Sequence, residues 1–167
     1  MSIQDKDNYF SEIYTNNKDK ILRLCYAFIP NKNDSEDLFH EIMIKVWKNL
    51  DTFQNKSKIT TWIYRISVNT ALMYKQKELM YTYTNIETIN IQLAADDSVA
   101  DLTQKETDIE NLYKAISTLE KQDRLIISMQ LEGISYDDIS ETMGISVNYV
   151  GVKINRIKSQ LLKILAK

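Results

Sequence analysis

Two groups of side chains in this 167-residue chain are spaced for recognition chemistry. Near the C-terminus, Asn148, Tyr149, Val152, Asn155 and Arg156 recur at helical intervals and form one outward face. Amide, phenol and guanidinium groups on such a face suit the donors and acceptors of base edges in a DNA groove. Lys153 and Lys158 fall where backbone phosphates would lie. In the first third of the chain, Asp37 and Glu41 stand four residues apart and so share a helix face. An acidic stripe of that kind can pair with basic side chains of a partner helix. It is equally what a solvated helix N-terminus looks like, because the dipole favours acid there. Catalytic chemistry has no such footing. No nucleophile–base pair, phosphate-cradling glycine loop or metal-ligand set is present, so no enzyme and no cofactor is expected. The lone Cys25 cannot close an internal disulfide, and with the lone His40 it cannot build a zinc site.

The C-terminal face needs a helix held at a set angle, and the residues before it supply one. In "SYDDISETMGISVNYVGVKINRIK", Ser135 to Lys158, Ser135 caps a short helix with Asp138 three residues on. Gly144 ends that helix as a residue suited to positive φ, and Ser146 caps the next. Ile139, Met143, Ile145 and Val150 supply the inner faces, and Ser140 is the small residue at the crossing. This is the pattern of a helix-turn-helix. An ordinary helical hairpin with a solvated basic face would share parts of it. Caps, glycine, core positions and segregated charge together favour DNA.

The rest of the chain also reads as helical. Three glycines and one proline are too few for a sheet protein with many turns. Ile21, Leu24, Cys25 and Phe28 predict a helix ended by Pro30 and Asn31. Asn33 with Glu36 resembles a capping box, opening a second helix with Leu38, Ile42, Val46 and Leu50 inside and Trp47 at the edge of the core. Thr60 is the expected N-cap of a third helix, with Trp62, Ile63, Ile66 and Ala71 on its apolar side. Residues 79–108 then carry one basic residue against six acidic ones and read as a flexible acidic linker. Four short helices follow. They are marked by Ile109, Leu112, Ile116 and Leu119, by Leu125, Ile126 and Met129 before a stop at Glu132 and Gly133, and by the two helices above. The last of these carries Ile154, Ile157, Leu161, Leu162 and Leu165. The expected fold is all-α: a helical domain over 1–78, the linker over 79–108, and a helix-turn-helix domain over 109–167. No apolar run approaches 18 residues and no secretion signal opens the chain, so membrane insertion is not expected and the cytoplasm is the default compartment.

The segment "DSEDLFHEIMIKVWKNLDTF", Asp34 to Phe53, followed by "TTWIYRISVNTAL", Thr60 to Leu72, resembles the first conserved domain of the extracytoplasmic-function (ECF) sigma factors of the sigma-70 family. The helix-turn-helix, with "LEKQDRLIISMQLEGISYDDIS" leading into it, resembles the second. The resemblance covers nearly the whole chain in the family's order. It implies a sigma2-like bundle and a sigma4-like domain. It also implies a bacterial initiation factor that binds core RNA polymerase, reads the −10 and −35 promoter elements and aids melting. By the same resemblance, Asp37, His40 and Glu41 dock on a clamp coiled coil of the polymerase's largest subunit, with His40 where the family usually has glutamine. The loop from Asp51 to Ile59 would make most of a pocket for a flipped −10 base, with Lys56 and Lys58 on phosphates. Tyr64, Arg65 and Asn69 would contact the −10 element. Asn148, Tyr149, Gly151, Val152, Lys153, Asn155, Arg156 and Lys158 would form the −35 surface. The flap of the second-largest subunit is a further expected partner, and an anti-sigma factor is common in the family.

Met73, Gly151 and Asn155 depart from the family's usual residues, so promoter sequence preference does not transfer. The main rival is a free-standing dimeric helix-turn-helix regulator reading a palindrome, which has no use for an acidic docking helix. The charge argues against it. Gly144 to Lys167 carries five basic residues and no acid, but Asp137, Asp138 and Glu141 offset them, and the net charge of the chain is −2. A lone repressor gains affinity by releasing counterions and needs more positive charge than this. A factor carried by polymerase does not.

Overall fold

The computed structural model describes the backbone of residues 1–84 and 104–167 and the side chains of 1–74 and 104–167. Among the described residues there are seven α-helices and a single short 3-10 turn. They are α1 (Ile3–Phe28), α2 (Lys32–Asn49), the 3-10 turn Leu50–Thr52, α3 (Ile59–Thr84), α4 (Gln104–Ser117), α5 (Lys121–Leu131), α6 (Tyr136–Met143) and α7 (Val147–Leu165). The all-α expectation holds.

Capping groups set several of the boundaries. Ser135 Oγ accepts from the Asp138 N–H at 3.1 Å and Ser146 Oγ from the Tyr149 N–H at 3.1 Å, as the sequence predicts. Gly144 closes α6 at φ 69°, the left-handed conformation in which a side chain would be strained. Two other starts differ from expectation. α2 is capped by Asn31, whose Oδ1 accepts from the Asp34 N–H at 3.0 Å, so the helix opens before Asn33. α3 already includes Ile59, and the Trp62 N–H bonds to the Lys58 carbonyl at 3.1 Å, so Thr60 lies inside the helix. α3 also runs on to Thr84, because nothing in "ALMYKQKELMYTYT" breaks a helix, and α4 opens at Gln104. What remains of the expected linker, 85–103, lies outside the described residues.

Leu38, Ile42, Val46 and Leu50 are all buried, as their four-residue recurrence requires. They meet Ile21, Leu24, Cys25 and Phe28 of α1 and Ile63, Val68 and Ala71 of α3. On α3 the buried stripe is displaced from the expected one: Trp62 and Ile66 are only partly covered, while Tyr64 and Val68 are inside. In the second unit Leu125, Ile126, Met129, Ile139, Val150, Ile154 and Ile157 form the core. Ile109, Leu162 and Leu165, expected on apolar faces, are exposed. The two units pack together, α1 against α5 and α4, and α3 against α6.

Candidate nucleic-acid and partner interfaces

The helix-turn-helix is formed by α6 and α7. Its turn is closed by the Gly144 N–H on the Ser140 carbonyl at 2.9 Å and by the Ser140 hydroxyl, which donates to the Ile145 carbonyl. With Val150, Ile154 and Ile157 turned inward, Asn148, Tyr149, Val152, Asn155, Arg156 and Lys158 are exposed along one side of α7. Gly151 is half-buried, and a Cβ there would meet the Tyr136 ring at 3.6 Å.

Lys153 does not join that surface. It is 8% exposed, and its ammonium donates to Asp123 Oδ1 at 2.8 Å. The hydrogen bond to Asp123 outweighs burial and raises the lysine's pKa above its usual value. The expected phosphate contact is corrected accordingly: the side chain is spent inside the second unit. Helical spacing alone cannot reveal this, because Asp123 lies on α5, thirty residues away in sequence.

On α2, Asp37 and His40 are exposed and Glu41 is half-buried, 3.4 Å from Lys45. The three share a face, as expected. Ile44, one turn beyond, is 54% exposed on the same side. Sequence reasoning passed over it, although its seven-residue spacing from Asp37 carried the signal. The face is therefore an acidic stripe with an exposed apolar residue in it.

The loop between α2 and α3 turns at Asn55, which takes a left-handed φ of 56° that asparagine tolerates better than most residues. Lys56 and Lys58 are exposed beside it. The first unit also has an open cavity of about 300 Å³. Only Thr52 of the turn contributes to it; Lys45 and Asn49 of α2 and Trp62, Ile66, Asn69 and Met73 of α3 supply the walls. Asn69, one of the expected −10 contacts, lines this groove between α2 and α3. The start of the loop is braced from α1. Lys6 Nζ contacts Asp51 at 2.7 Å and lies 4.4 Å from the centre of the Trp47 ring, while the Trp47 N–H donates to Asp7 at 3.1 Å.

Tyr64 is the second correction. It is 1% exposed, and its hydroxyl has no hydrogen-bond partner among the described residues. Burial pushes its phenol well above the usual range. The ring packs in the core and offers nothing to DNA in this arrangement. Arg65, next to it, is accessible but paired: its guanidinium donates to Glu141 at 2.7 Å. Lys58 lies 3.7 Å from Asp138. Both carboxylates belong to α6. A third pair between the units joins Arg23 to Glu132 through two hydrogen bonds, Nη2 to Oε2 measuring 3.0 Å. Arg124 of α5 adds a bond to the Phe28 carbonyl of α1 at 3.0 Å.

Comparison with known proteins bears on both units. The family described as Sigma-70 region 2 matches residues 13–78, and that described as Sigma-70, region 4 matches residues 109–161. The ECF RNA polymerase sigma factor SigW of Bacillus subtilis (strain 168) is 28% identical over 163 residues, spanning 92% of this chain and 87% of its own. The ECF RNA polymerase sigma-E factor of Escherichia coli (strain K12) is 28% identical over 151 residues, spanning 85% and 78%. Among solved structures, the sigma factor RpoE of Bartonella quintana, in complex with the anti-sigma factor NepR, matches with a TM-score of 0.69 at 17% identity, covering 93% of this chain and 97% of that one. CnrH, in complex with the cytosolic domain of CnrY, matches with a TM-score of 0.69 at 17% identity, covering 96% and 89%. At such identity the two structures speak for the fold alone.

Proposed function

The chain belongs to the sigma-70 family, with its region 2 and region 4 in family order, and on that premise we propose how its two units divide the work of an ECF sigma factor. The function is transcription initiation: a factor that binds RNA polymerase and directs it to promoter DNA. The first unit, 1–78, takes core polymerase on the α2 face of Asp37, His40, Glu41 and Ile44, through the clamp coiled coil of the largest subunit. The same unit meets the −10 element with Lys56, Lys58, Arg65 and Asn69. The groove lined by Asn69, Trp62 and Met73 receives an unstacked base, whose unstacking cost is offset by aromatic and edge contacts. The second unit, 109–167, meets the −35 element with the exposed side of α7 and reaches the flap of the second-largest subunit. An anti-sigma factor is the regulatory partner we assign to the protein; one fold neighbour was solved with an anti-sigma factor and another with the cytosolic domain of CnrY. Among the described residues no helix is long and apolar enough to cross a membrane.

The observation that carries this reading is the presence of the region 2 and region 4 matches together in one chain. A free-standing dimeric regulator would need only the second. Gel shifts with and without core polymerase test the reading. Promoter fragments should be bound and opened only when core is present. Tight binding to a palindrome by the chain alone would sink it.

A further inference from the structure

We propose that Lys153 is a positioning residue for −35 recognition: from beneath α7 it holds the Tyr149 ring in place through a cation–π contact and fastens the recognition helix to α5 through Asp123. The proposal rests on the reading of α7 as the −35 helix.

Among the five basic residues from Gly144 to Lys167, Lys153 alone is buried. A phosphate-binding lysine needs its ammonium at the surface. This one is 2.8 Å from Asp123 Oδ1, and both side chains are about a tenth exposed, at 10% and 12%. Drawing it out toward DNA would leave a carboxylate unpaired in a largely covered site. Its second contact points toward function. Lys153 Nζ lies 5.4 Å from the centre of the Tyr149 ring, within cation–π range. The two residues are four apart, so they are neighbours on one side of the helix. Tyr149 is 43% exposed at the N-terminal end of α7, and its backbone N–H is fixed by Ser146 Oγ. The side chain of an exposed tyrosine is otherwise free to change rotamer, and a cation held under the ring favours one position. Asp123 fixes the cation and Lys153 fixes the ring. A base-reading group is thereby set before DNA arrives, which lowers the ordering cost of binding.

The test begins with a probe. A duplex pool randomised over the upstream promoter element is selected with the wild-type chain bound to core polymerase. Holoenzymes carrying Lys153→Met with Asp123→Asn, Lys153→Arg, or Tyr149→Leu are then compared on the selected duplex and its single-base variants. The Lys153→Met, Asp123→Asn chain should lose about two- to fivefold in base discrimination, the worth of one cation–π contact. The loss should fall at the base steps that Tyr149→Leu relaxes, and Lys153→Arg should restore it. The slope of log affinity against log salt should not change. A slope shallower by about 0.9, with uniform loss across sequences, would mark a lost phosphate contact and overturn the proposal. So would discrimination equal to wild type. If the wild-type holoenzyme selects no upstream sequence, the −35 reading itself fails and the proposal falls with it. A further arm uses only the wild-type chain, in case the double variant does not fold. Reductive methylation followed by mass spectrometry should find Lys158 reactive and shielded by the probe, and Lys153 unreactive with or without it. A Lys153 that methylates freely and is shielded by DNA would overturn the assignment.

Discussion

Cys25 and the α2 stripe set two residue-scale expectations. Cys25 is fully covered between α1 and its neighbours, and burial pushes its thiol up to about 12. Only the thiolate is a strong nucleophile. Iodoacetamide should therefore leave the folded chain unlabelled and alkylate it at one site in denaturant, as read by mass; rapid labelling of the folded chain would mean that the inner face of α1 opens. On α2 the expectation concerns binding. Asp37→Lys with Glu41→Lys reverses the charge of an accessible face without touching a buried side chain. Pull-down by core polymerase should fall at least about tenfold, since charge reversal at a complementary interface costs several kcal/mol, with helicity by circular dichroism unchanged. Normal pull-down would refute the docking face. The sequence made this stripe legible because all its members lie on one helix, where spacing determines direction. It could not do so for Tyr64, whose neighbours Ile63 and Arg65 point to different surroundings; which face of α3 is inside depends on where α1, α2 and α6 lie.

At the scale of elements, capping chemistry was the most readable part of the chain. Ser135, Gly144 and Ser146 each have a local hydrogen-bonding or dihedral reason to end or begin a helix, and each does so. The boundaries that differ from expectation have separate causes. Asn31 and Asn33 are both competent caps two residues apart, so residue type alone does not choose between them, and Asn31 takes the role. The end of α3 has no stop signal: the sequence turns polar beyond Leu79, but polarity alone does not break a helix. Gly151 is a weak point that the sequence already marked. Glycine inside a helix costs about 1 kcal/mol relative to alanine. A Cβ there would meet only the edge of the Tyr136 ring, at ordinary contact distance. Gly151→Ala should stabilise the second unit by about 0.5–1 kcal/mol, seen as a rise in the midpoint of thermal unfolding. A lower midpoint would mean that the Tyr136 ring cannot accept the methyl group.

For the whole molecule, the arrangement of the two units is what the sequence was least able to specify, because its contacts join residues far apart in the chain. Arg65 meets Glu141 and Lys58 meets Asp138, so two cations proposed for −10 DNA hold carboxylates of the helix-turn-helix. Exposed pairs like these are worth about 0–1 kcal/mol each and weaken with salt. Promoter phosphates and polymerase can displace them at small cost. Arg23 and Glu132 form the firmer link: the guanidinium and carboxylate share two hydrogen bonds, and the Glu132 side chain is 13% exposed. Glu132→Arg would set two guanidinium groups against each other at the α1–α5 contact. Small-angle scattering of the free chain should then give a larger radius of gyration than wild type at low salt. Adding Arg23→Glu should bring it back, since the pair is restored with its charges exchanged. If Glu132→Arg leaves the radius unchanged, the apolar packing of α1 on α5 holds the units together without the pair. If the radius grows but the exchange does not restore it, the loss lies in the packing around Glu132 and not in its charge.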